Sequence, residues 1–231
     1  MNKERDLVQA IADIASGSTI MVGGFMTVGT PEILVDELVR QGQENLTIVC
    51  NDAGVPGGGV GKLVRSKQLS ILITSHIGLN PEMGKAMNSG EAQVQLVPQG
   101  TLAERIRCGG TGLGGFLTPT GVGTLVEEGK ERKTLDGKDY LLELSLKGDV
   151  ALIKAHRADR AGNLIFRMSA RNFNPLMAPA CQYVVAQVSE IVEIGELDPD
   201  EIMLPGIFVD ALVLAPADDQ TRTNETEGGA P

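Results

Sequence analysis

The chain has 231 residues, of which 42% are hydrophobic, so it can bury one sizeable core but is short for two domains. Its formal net charge of −10, without a Lys/Arg cluster, argues against a nucleic-acid-binding surface. No apolar run reaches the roughly 18 to 20 residues of a membrane span, and residues 1–5 lead into an amphipathic helix rather than a signal peptide. We therefore expect a cytoplasmic protein without a membrane partner.

Alternating strand and helix patterns run along most of the chain. An amphipathic helix is predicted over residues 3–15 and another from Pro31 to Gly42. Strands are predicted at residues 20–22, 46–50, 69–74, 94–97, 140–144, 150–155, 183–188 and 207–214, with short helices near residues 63–64 and 81–87. Asp136-Gly137 predicts a hairpin turn. This alternation predicts a three-layer α/β/α fold with a mostly parallel sheet.

The domain is predicted to span residues 1–217. Residues 218–231 are polar and acidic and end in Gly-Gly-Ala-Pro, which predicts a disordered tail. Cys50, Cys108 and Cys181 are far apart and have no C-x-x-C spacing. We interpret them as buried free thiols and expect neither a metal site nor a disulfide framework.

The glycine loop that follows the first strand is the most informative stretch. Gly23, Gly24 and Gly29 allow tight turns, and Thr30-Pro31 predicts an N-cap followed by a first-turn proline. A strand, a bare loop and a helix start would direct free N–H groups at an anion. The loop has neither the G-x-G-x-x-G spacing nor the Gly-Lys-Ser/Thr of a phosphate loop. A turn that only saves space remains an alternative.

Two further stretches are rich in glycine. The segment 51–59 follows a predicted strand, where α/β sheets place ligands, although a plain flexible turn stays open as an alternative. Residues 109–123 contain seven glycines. Because ordering so many glycines in one loop costs much chain entropy, we predict a ligand or subunit contact there.

Three blocks of sequence resemble the family I CoA-transferases, and in particular their alpha-subunit type, which acts on short-chain acids and acetoacetate. The blocks are Gly17–Pro31, with its G-G-F, three free positions and G-x-P, then Pro98–Arg105 and Thr118–Thr124. The resemblance extends to about Leu214. The family usually has Asp or Asn before the first glycine of its signature, where this chain has Ser16.

The resemblance implies an α/β fold similar to that of phosphosugar isomerases, and a transfer of coenzyme A between an acyl-CoA and a carboxylic acid. In that family a glutamate attacks the thioester, giving an acyl-glutamyl anhydride and then a glutamyl-CoA thioester. That glutamate lies in the other subunit. The resemblance therefore implies a β-subunit partner in an α₂β₂ assembly, with acetate, butyrate or acetoacetate as substrates.

The resemblance also implies roles for particular residues. Gln99 matches the family glutamine that donates a hydrogen bond to the oxyanion. The glycine loop is expected beside the CoA, through Gly23, Gly24, Phe25, Met26, Thr27, Val28 and Gly29. Residues 109–115 are expected to close over the same cleft or to meet the partner subunit.

No glutamate of this chain has the setting that a nucleophile needs, a turn in apolar surroundings. Glu128-Gly129 is followed by four charged residues, so we interpret Glu128 as a solvent-exposed helix end. Glu104, beside Arg105, is interpreted as a surface ion pair. We therefore predict no complete active site in this chain alone.

The remaining candidates are two histidines and three arginines. His76 and His156 are interpreted as structural, because acyl exchange through a carboxylate needs no proton shuttle. Arg105, Arg107 and Arg171 could meet an acidic substrate or a phosphate, but surface ion pairs are the favoured interpretation.

Two other functions remain open from the sequence. A stand-alone phosphosugar isomerase or acyl-CoA hydrolase of the same fold would need an acid/base pair within the chain, and none stands out. A non-catalytic CoA-binding subunit would be indifferent to the identity of residue 99.

Overall fold

The computed structural model describes residues 2–216. The predicted disordered tail, residues 218–231, and the boundary at residue 217 lie outside them. The α-helices are α1 (Leu7–Ala12), α2 (Glu32–Gln41), α3 (Gly61–Arg65), α4 (Pro81–Ser89), α5 (Gln99–Thr111) and α6 (Asn174–Met177). The strands are β1 (Thr19–Val22), β2 (Leu46–Val49), β3 (Leu69–Thr74), β4 (Gln93–Leu96), β5 (Gly115–Thr118), β6 (Arg132–Leu135), β7 (Lys138–Leu144), β8 (Gly148–Asp159), β9 (Leu164–Ile165), β10 (Cys181–Val192) and β11 (Ala211–Leu214).

The main sheet has the strand order β11-β10-β8-β1-β2-β3-β4, with all these neighbours parallel. The short strand β9 pairs antiparallel with β8. From β1 the chain adds β2, β3 and β4 on one side and later adds β8, β10 and β11 on the other. The direction of strand addition therefore reverses at β1, the position where α/β sheets open a crevice for ligands.

Alternating residues of the buried strands face two separate cores. In β1, Ile20 and Val22 pack in one core with residues of α1 to α4, whereas Met21 packs in the other with residues of α5 and α6. This alternation follows from the two-residue period of a strand. Helices thus cover both faces of the sheet, and the predicted three-layer α/β/α architecture is confirmed.

A separate antiparallel sheet of order β5-β7-β6 interrupts the α/β series. The predicted hairpin turn joins β6 to β7, with φ of 49° at Asp136 and 75° at Gly137, the left-handed backbone that such two-residue turns require. Residues 115–144, which contain this sheet, are called the antiparallel arm. Within the arm, Glu143 is buried and accepts a hydrogen bond from Nζ of Lys130 at 2.5 Å, while Nε of Arg105 lies 4.0 Å away.

Several predicted boundaries are wrong. The first helix covers only Leu7–Ala12, and its N-cap is Asp6. Strands β8 and β10 are each 12 residues long, because they pair with one another over ten registered positions beyond the predicted apolar runs. Residues 206–208 form a 3₁₀ turn, so the last strand begins at residue 211 rather than 207.

The predicted glycine-rich loop at residues 109–123 is also wrong in part, because Gly109 and Gly110 belong to α5. A Cβ at Gly109 would lie 2.1 Å from the carbonyl oxygen of Leu146, and one at Gly110 would lie 2.9 Å from Cβ of Pro179. These two glycines let α5 pack closely on its neighbours. They are therefore explained by internal packing rather than by a ligand or a partner subunit.

The cysteines are free, as predicted: Cys50 and Cys108 are buried and Cys181 is partly buried. Burial raises the pKa of the Cys181 thiol to about 12. Within residues 2–216, no helix combines the length and the apolar character needed to cross a bilayer.

Candidate active site

The candidate site lies at the carboxyl edge of the main sheet. The strands β1, β2, β3 and β4 are consecutive parallel neighbours, so the segments that follow them emerge side by side. These segments include the glycine loop at residues 23–30, the second glycine-rich loop at 51–60 and the start of α5 at Gln99. The fold thereby brings together three stretches that are far apart in the sequence and that were each predicted to contact a ligand or to contribute to catalysis.

The glycine loop is folded back on itself. Phe25 and Val28 exchange two backbone hydrogen bonds of 3.0 Å, and Met26 at the tip has a φ of 57°. The predicted N-cap is wrong: Pro31 occupies the position before α2 without a side-chain cap, and the Thr30 carbonyl accepts the amide of Glu32. The loop therefore closes by its own backbone bonds instead of leading directly into a capped helix.

Most amides of this loop are already engaged. The Gly23 amide donates to the carbonyl oxygen of Leu152 at 2.9 Å, and the Met26 amide donates to Oδ2 of Asp52 at 2.7 Å. Within residues 2–216, the amides of Gly24, Thr27 and Gly29 have no such acceptor. The prediction of a row of free N–H groups aimed at one anion is therefore wrong for most of the loop.

The glycines are required by what lies behind the loop. A Cβ at Gly23 would lie 1.8 Å from Oδ1 of Asn174, a fully buried side chain. Asn174 accepts the amide of Lys154 at 2.9 Å and donates from Nδ2 to the carbonyl of Gly29 at 2.9 Å. The loop is thus anchored to the segment that precedes β10, far away in the sequence.

The tip of the loop presents apolar side chains. Phe25 and Met26 are each 44% exposed, and Met26 also lines a small pocket with Gly24, Asn51 and Asp52. Exposed apolar side chains beside a polar, buried floor suit a ligand with an apolar arm, or an apolar surface of another chain.

The floor of the site is a chain of side-chain hydrogen bonds. Nε2 of Gln99 donates to Oδ1 of Asn51 at 2.7 Å, and Nδ2 of Asn51 donates to Oδ2 of Asp52 at 2.8 Å. Asn51 and Asp52 are buried, whereas Gln99, the first residue of α5, is exposed. Gln99 was predicted as a site residue from the sequence, whereas its contact with Asn51, and the contact of Asn51 with Asp52, were not predicted. The available signal was their position directly after a buried parallel strand.

Neither glutamate considered as a nucleophile lies in apolar surroundings. Glu128 is exposed at the end of a 3₁₀ turn. Glu104 forms a surface ion pair, as predicted, but with Arg107 at 2.6 Å rather than with Arg105. This pairing lowers the pKa of the Glu104 carboxyl, through the hydrogen bond from Arg107 and despite some desolvation.

The two histidines differ in position: His76 lies beside this floor, where it forms a β-bridge with Asp52, whereas His156 lies within the main sheet. His76 follows β3 and is exposed, and its carbonyl accepts the amide of Ala53 at 3.1 Å. His156 lies inside β8 rather than directly after a strand ending at residue 155, as the predicted strand 150–155 implies, because β8 continues to Asp159.

The three arginines differ from one another. Arg107 forms an ion pair with Glu104, and Arg105 donates to the carbonyl of Leu144 at 2.9 Å.

Arg171 is exposed and forms no ion pair with any residue from 2 to 216. It lines an open cleft with Ser169, Asn172, Pro175 and Leu176. Nδ2 of Asn172 donates to the Val28 carbonyl at 3.0 Å, so this cleft adjoins the glycine loop.

Comparison with known proteins gives consistent matches. The sequence profile described as coenzyme A transferase matches residues 5–215. The chain is 54% identical over 209 residues to the alpha subunit of the acetate CoA-transferase of Escherichia coli (strain K12), with 90% of this chain and 95% of that relative covered. It is 48% identical over 201 residues to the acetoacetyl-CoA:acetate/butyrate CoA transferase alpha subunit of Clostridium acetobutylicum, with 87% and 92% covered.

A solved structure shows the same fold. The acyl-CoA transferase YdiF from Escherichia coli O157:H7, in a thioester complex with CoA, matches with a TM-score of 0.84 at 21% identity. The match covers 93% of this chain and 47% of the other, so this chain spans about half the length of that enzyme.

A parallel sheet with glycine-rich loops and neutral amide donors at its carboxyl edge is the arrangement in which α/β proteins place ligands. The matches identify the family of this α/β protein: the chain belongs to the coenzyme A transferase family. The resemblance found in the sequence is thereby confirmed, including the alpha-subunit type, because both relatives are alpha subunits of CoA-transferases. The alternative function, a stand-alone isomerase or hydrolase, is not supported by these relatives.

Proposed function

We propose that this chain is the alpha subunit of a heteromeric CoA-transferase and supplies the oxyanion-stabilising half of its active site. In this proposal, coenzyme A moves between a short-chain acyl-CoA or acetoacetyl-CoA and a carboxylic acid. The nucleophilic glutamate, and the glutamyl-CoA thioester formed on it, belong to the partner subunit. Family membership and the names of the relatives support this assignment.

The observation that carries the proposal is the placement of Gln99. Its side chain is held at the carboxyl edge by the 2.7 Å hydrogen bond to Asn51, and the residue is exposed. Attack on a thioester or anhydride places negative charge on a carbonyl oxygen, and a neutral amide N–H stabilises that charge without acting as a base. An exposed donor suits a site that a second subunit completes.

The carboxylates of this chain support a glutamate imported from elsewhere. Among the residues described, the buried glutamates are Glu37 and Glu143. Glu37 is hydrogen-bonded by Arg40 at 2.6 Å, and Glu143 by Lys130 at 2.5 Å. A carboxylate held by a cation is a poor nucleophile because its lone pairs are engaged.

The glycine loop and the cleft beside it are proposed to contact the CoA. The exposed side chains of Phe25 and Met26 suit its apolar pantetheine arm, and Arg171 suits a phosphate group. The open amides of Gly24, Thr27 and Gly29 provide further donors.

The candidate acid substrates, acetate, butyrate and acetoacetate, differ by few atoms, and one methylene changes the binding free energy by only about 1–3 kcal/mol in a pocket. The names of the relatives make acetate the first acid to test. An α₂β₂ assembly and a cytoplasmic location remain predictions.

Substitution at Gln99 tests the proposal. The Gln99→Ala chain, assembled with its partner subunit, is expected to bind acyl-CoA and to lose about 10²- to 10³-fold in kcat, the usual loss for one oxyanion donor. The matched control is Gln9→Ala, which removes an exposed glutamine of α1 and is expected to leave kcat unchanged. Normal turnover by the Gln99→Ala enzyme would contradict the proposal and favour a non-catalytic CoA-binding subunit.

A further inference from the structure

The carboxylate of Asp52 is surrounded by N–H donors. Oδ2 accepts Nδ2 of Asn51 at 2.8 Å and the backbone amide of Met26 at 2.7 Å, and Oδ1 accepts the amide of Gly54 at 2.9 Å. The residue is only 6% exposed. An ionised carboxylate can only accept hydrogen bonds, so this group fixes the direction of every bond around it.

A side-chain amide is different, because it can rotate by half a turn and exchange its donor and acceptor ends. Beside the carboxylate, Asn51 must present Nδ2, since Oδ1 would face a second oxygen. Oδ1 of Asn51 is therefore turned toward Gln99, and only a donor fits there. The structure has that arrangement, with Nε2 of Gln99 at 2.7 Å. Oγ of Ser75 donates to the Asn51 carbonyl at 2.6 Å and lies 3.4 Å from Oδ1.

We propose that Asp52 determines, through Asn51, which end of the Gln99 amide faces the reaction. In the order Asp52, Asn51, Gln99, one hydrogen of Nε2 bonds Oδ1 of Asn51 and the second is left for the substrate oxyanion. In the reversed orientation, Oε1 would take that place and repel the developing charge. Asp52 and Asn51 are thus positioning residues that act through Gln99. The inference rests on the proposed role of Gln99.

The hydrogen-bonded series Asp52, Asn51 and Gln99 is called the relay. The carboxylate of Asp52 also links this relay to the glycine loop, because it accepts the Met26 amide. The tip of the loop and the oxyanion donor are therefore oriented by one buried charge. Asn51 is the simpler residue for isolating the relay, because removing its side chain leaves in place the hydrogen bonds that the amides of Met26 and Gly54 donate to Asp52.

The experiment uses the assembled two-subunit enzyme and acetate-dependent CoA exchange from acetoacetyl-CoA. Asp52→Asn replaces the acceptor-only group by one that can itself rotate, so kcat is expected to fall roughly tenfold, less than the loss of the donor itself, with KM within about twofold. Asp149→Asn is the matched control. Its carboxylate accepts the Thr19 amide at 2.8 Å at the opposite edge of the sheet, and its substitution is expected to leave kcat unchanged.

The decisive readout is the double variant. If Asp52 acts through Gln99, adding Asp52→Asn to Gln99→Ala causes no further loss of kcat, whereas a merely structural role gives additive losses. Asn51→Ala is measured in the same two backgrounds, so that the inference remains testable if Asp52→Asn does not fold. Full kcat in Asp52→Asn or Asn51→Ala, or additive losses, would overturn the inference. Full kcat in Gln99→Ala alone would instead overturn the proposed function.

Discussion

Asn174 and Gly29 are 145 residues apart in sequence, and Nδ2 of Asn174 donates to the Gly29 carbonyl at 2.9 Å. This bond anchors the glycine loop to the segment before β10. It also explains why position 23 tolerates no side chain, since Oδ1 of the same asparagine occupies the place of a Cβ.

Gly23→Ala is therefore expected to destabilise the chain by about 3 kcal/mol, the upper range for overpacking a core, because the buried Asn174 must move. The matched change is Gly84→Ala in α4, where nothing lies within 4 Å of the added Cβ. That change is expected to stabilise the chain by about 0.5–1 kcal/mol through helix propensity. Denaturant unfolding measures both, and equal effects would contradict the packing argument.

The antiparallel arm is expected to depend on Lys130. Lys130→Ala leaves the carboxylate of Glu143 buried, with Arg105, at 4.0 Å, as its one remaining cation within residues 2–216, and is expected to cost about 3 kcal/mol in the free energy of unfolding. Lys133→Ala removes a lysine from the same arm whose partner, Glu131, is exposed, and is expected to cost less than about 1 kcal/mol. Comparable losses would show that Glu143 does not need its cation.

The stability of the chain is expected to fall in alkaline solution, partly through Cys50. Burial, and then the negative charge of Asp52, raise the pKa of this thiol above its ordinary value of 9.0. The folded chain therefore keeps a proton that the unfolded chain loses above about pH 9. The free energy of unfolding should fall there by up to about 1.4 kcal/mol per pH unit for this group. Urea unfolding between pH 8 and 10 should show a shallower fall for Cys50→Ala, and identical slopes would contradict the assignment.

Arg171 is expected to contribute to substrate binding rather than to stability. Because it forms no ion pair within residues 2–216 and lines the cleft beside the glycine loop, Arg171→Ala should raise KM for acyl-CoA about tenfold while kcat stays within about twofold. Lys85→Ala removes one exposed positive charge from α4 and should change neither parameter. An unchanged KM for Arg171→Ala would place the phosphates elsewhere.

Local patterns in the sequence were sufficient for much of the fold. The strand at residues 69–74 and the turn at Asp136-Gly137 were predicted where the structure has them, because apolar runs and a left-handed turn are set by neighbouring residues. The full lengths of β8 and β10 were not predicted, because they depend on pairing between distant segments.

In the candidate site, too, the contacts between distant residues were the part that the sequence did not predict. Gln99 was found through the family resemblance, whereas its bond to Asn51 links positions 48 residues apart and could not be read from spacing. The loop amides were expected to be free because Leu152 and Asp52, which accept two of them, are not adjacent in the sequence. Gly109 and Gly110 were assigned to a loop because glycine content alone does not distinguish flexibility from close packing.

The division of the active site between two subunits is tested most directly by acetate-dependent CoA exchange from acetoacetyl-CoA, measured with this chain alone and after co-expression with the reading frame next to its gene. Exchange is expected only in the mixture, because the nucleophilic glutamate is supplied by the partner. Exchange by this chain alone would refute this division and would mean that a nucleophile lies within residues 1–231, with Glu128 as the first residue to replace.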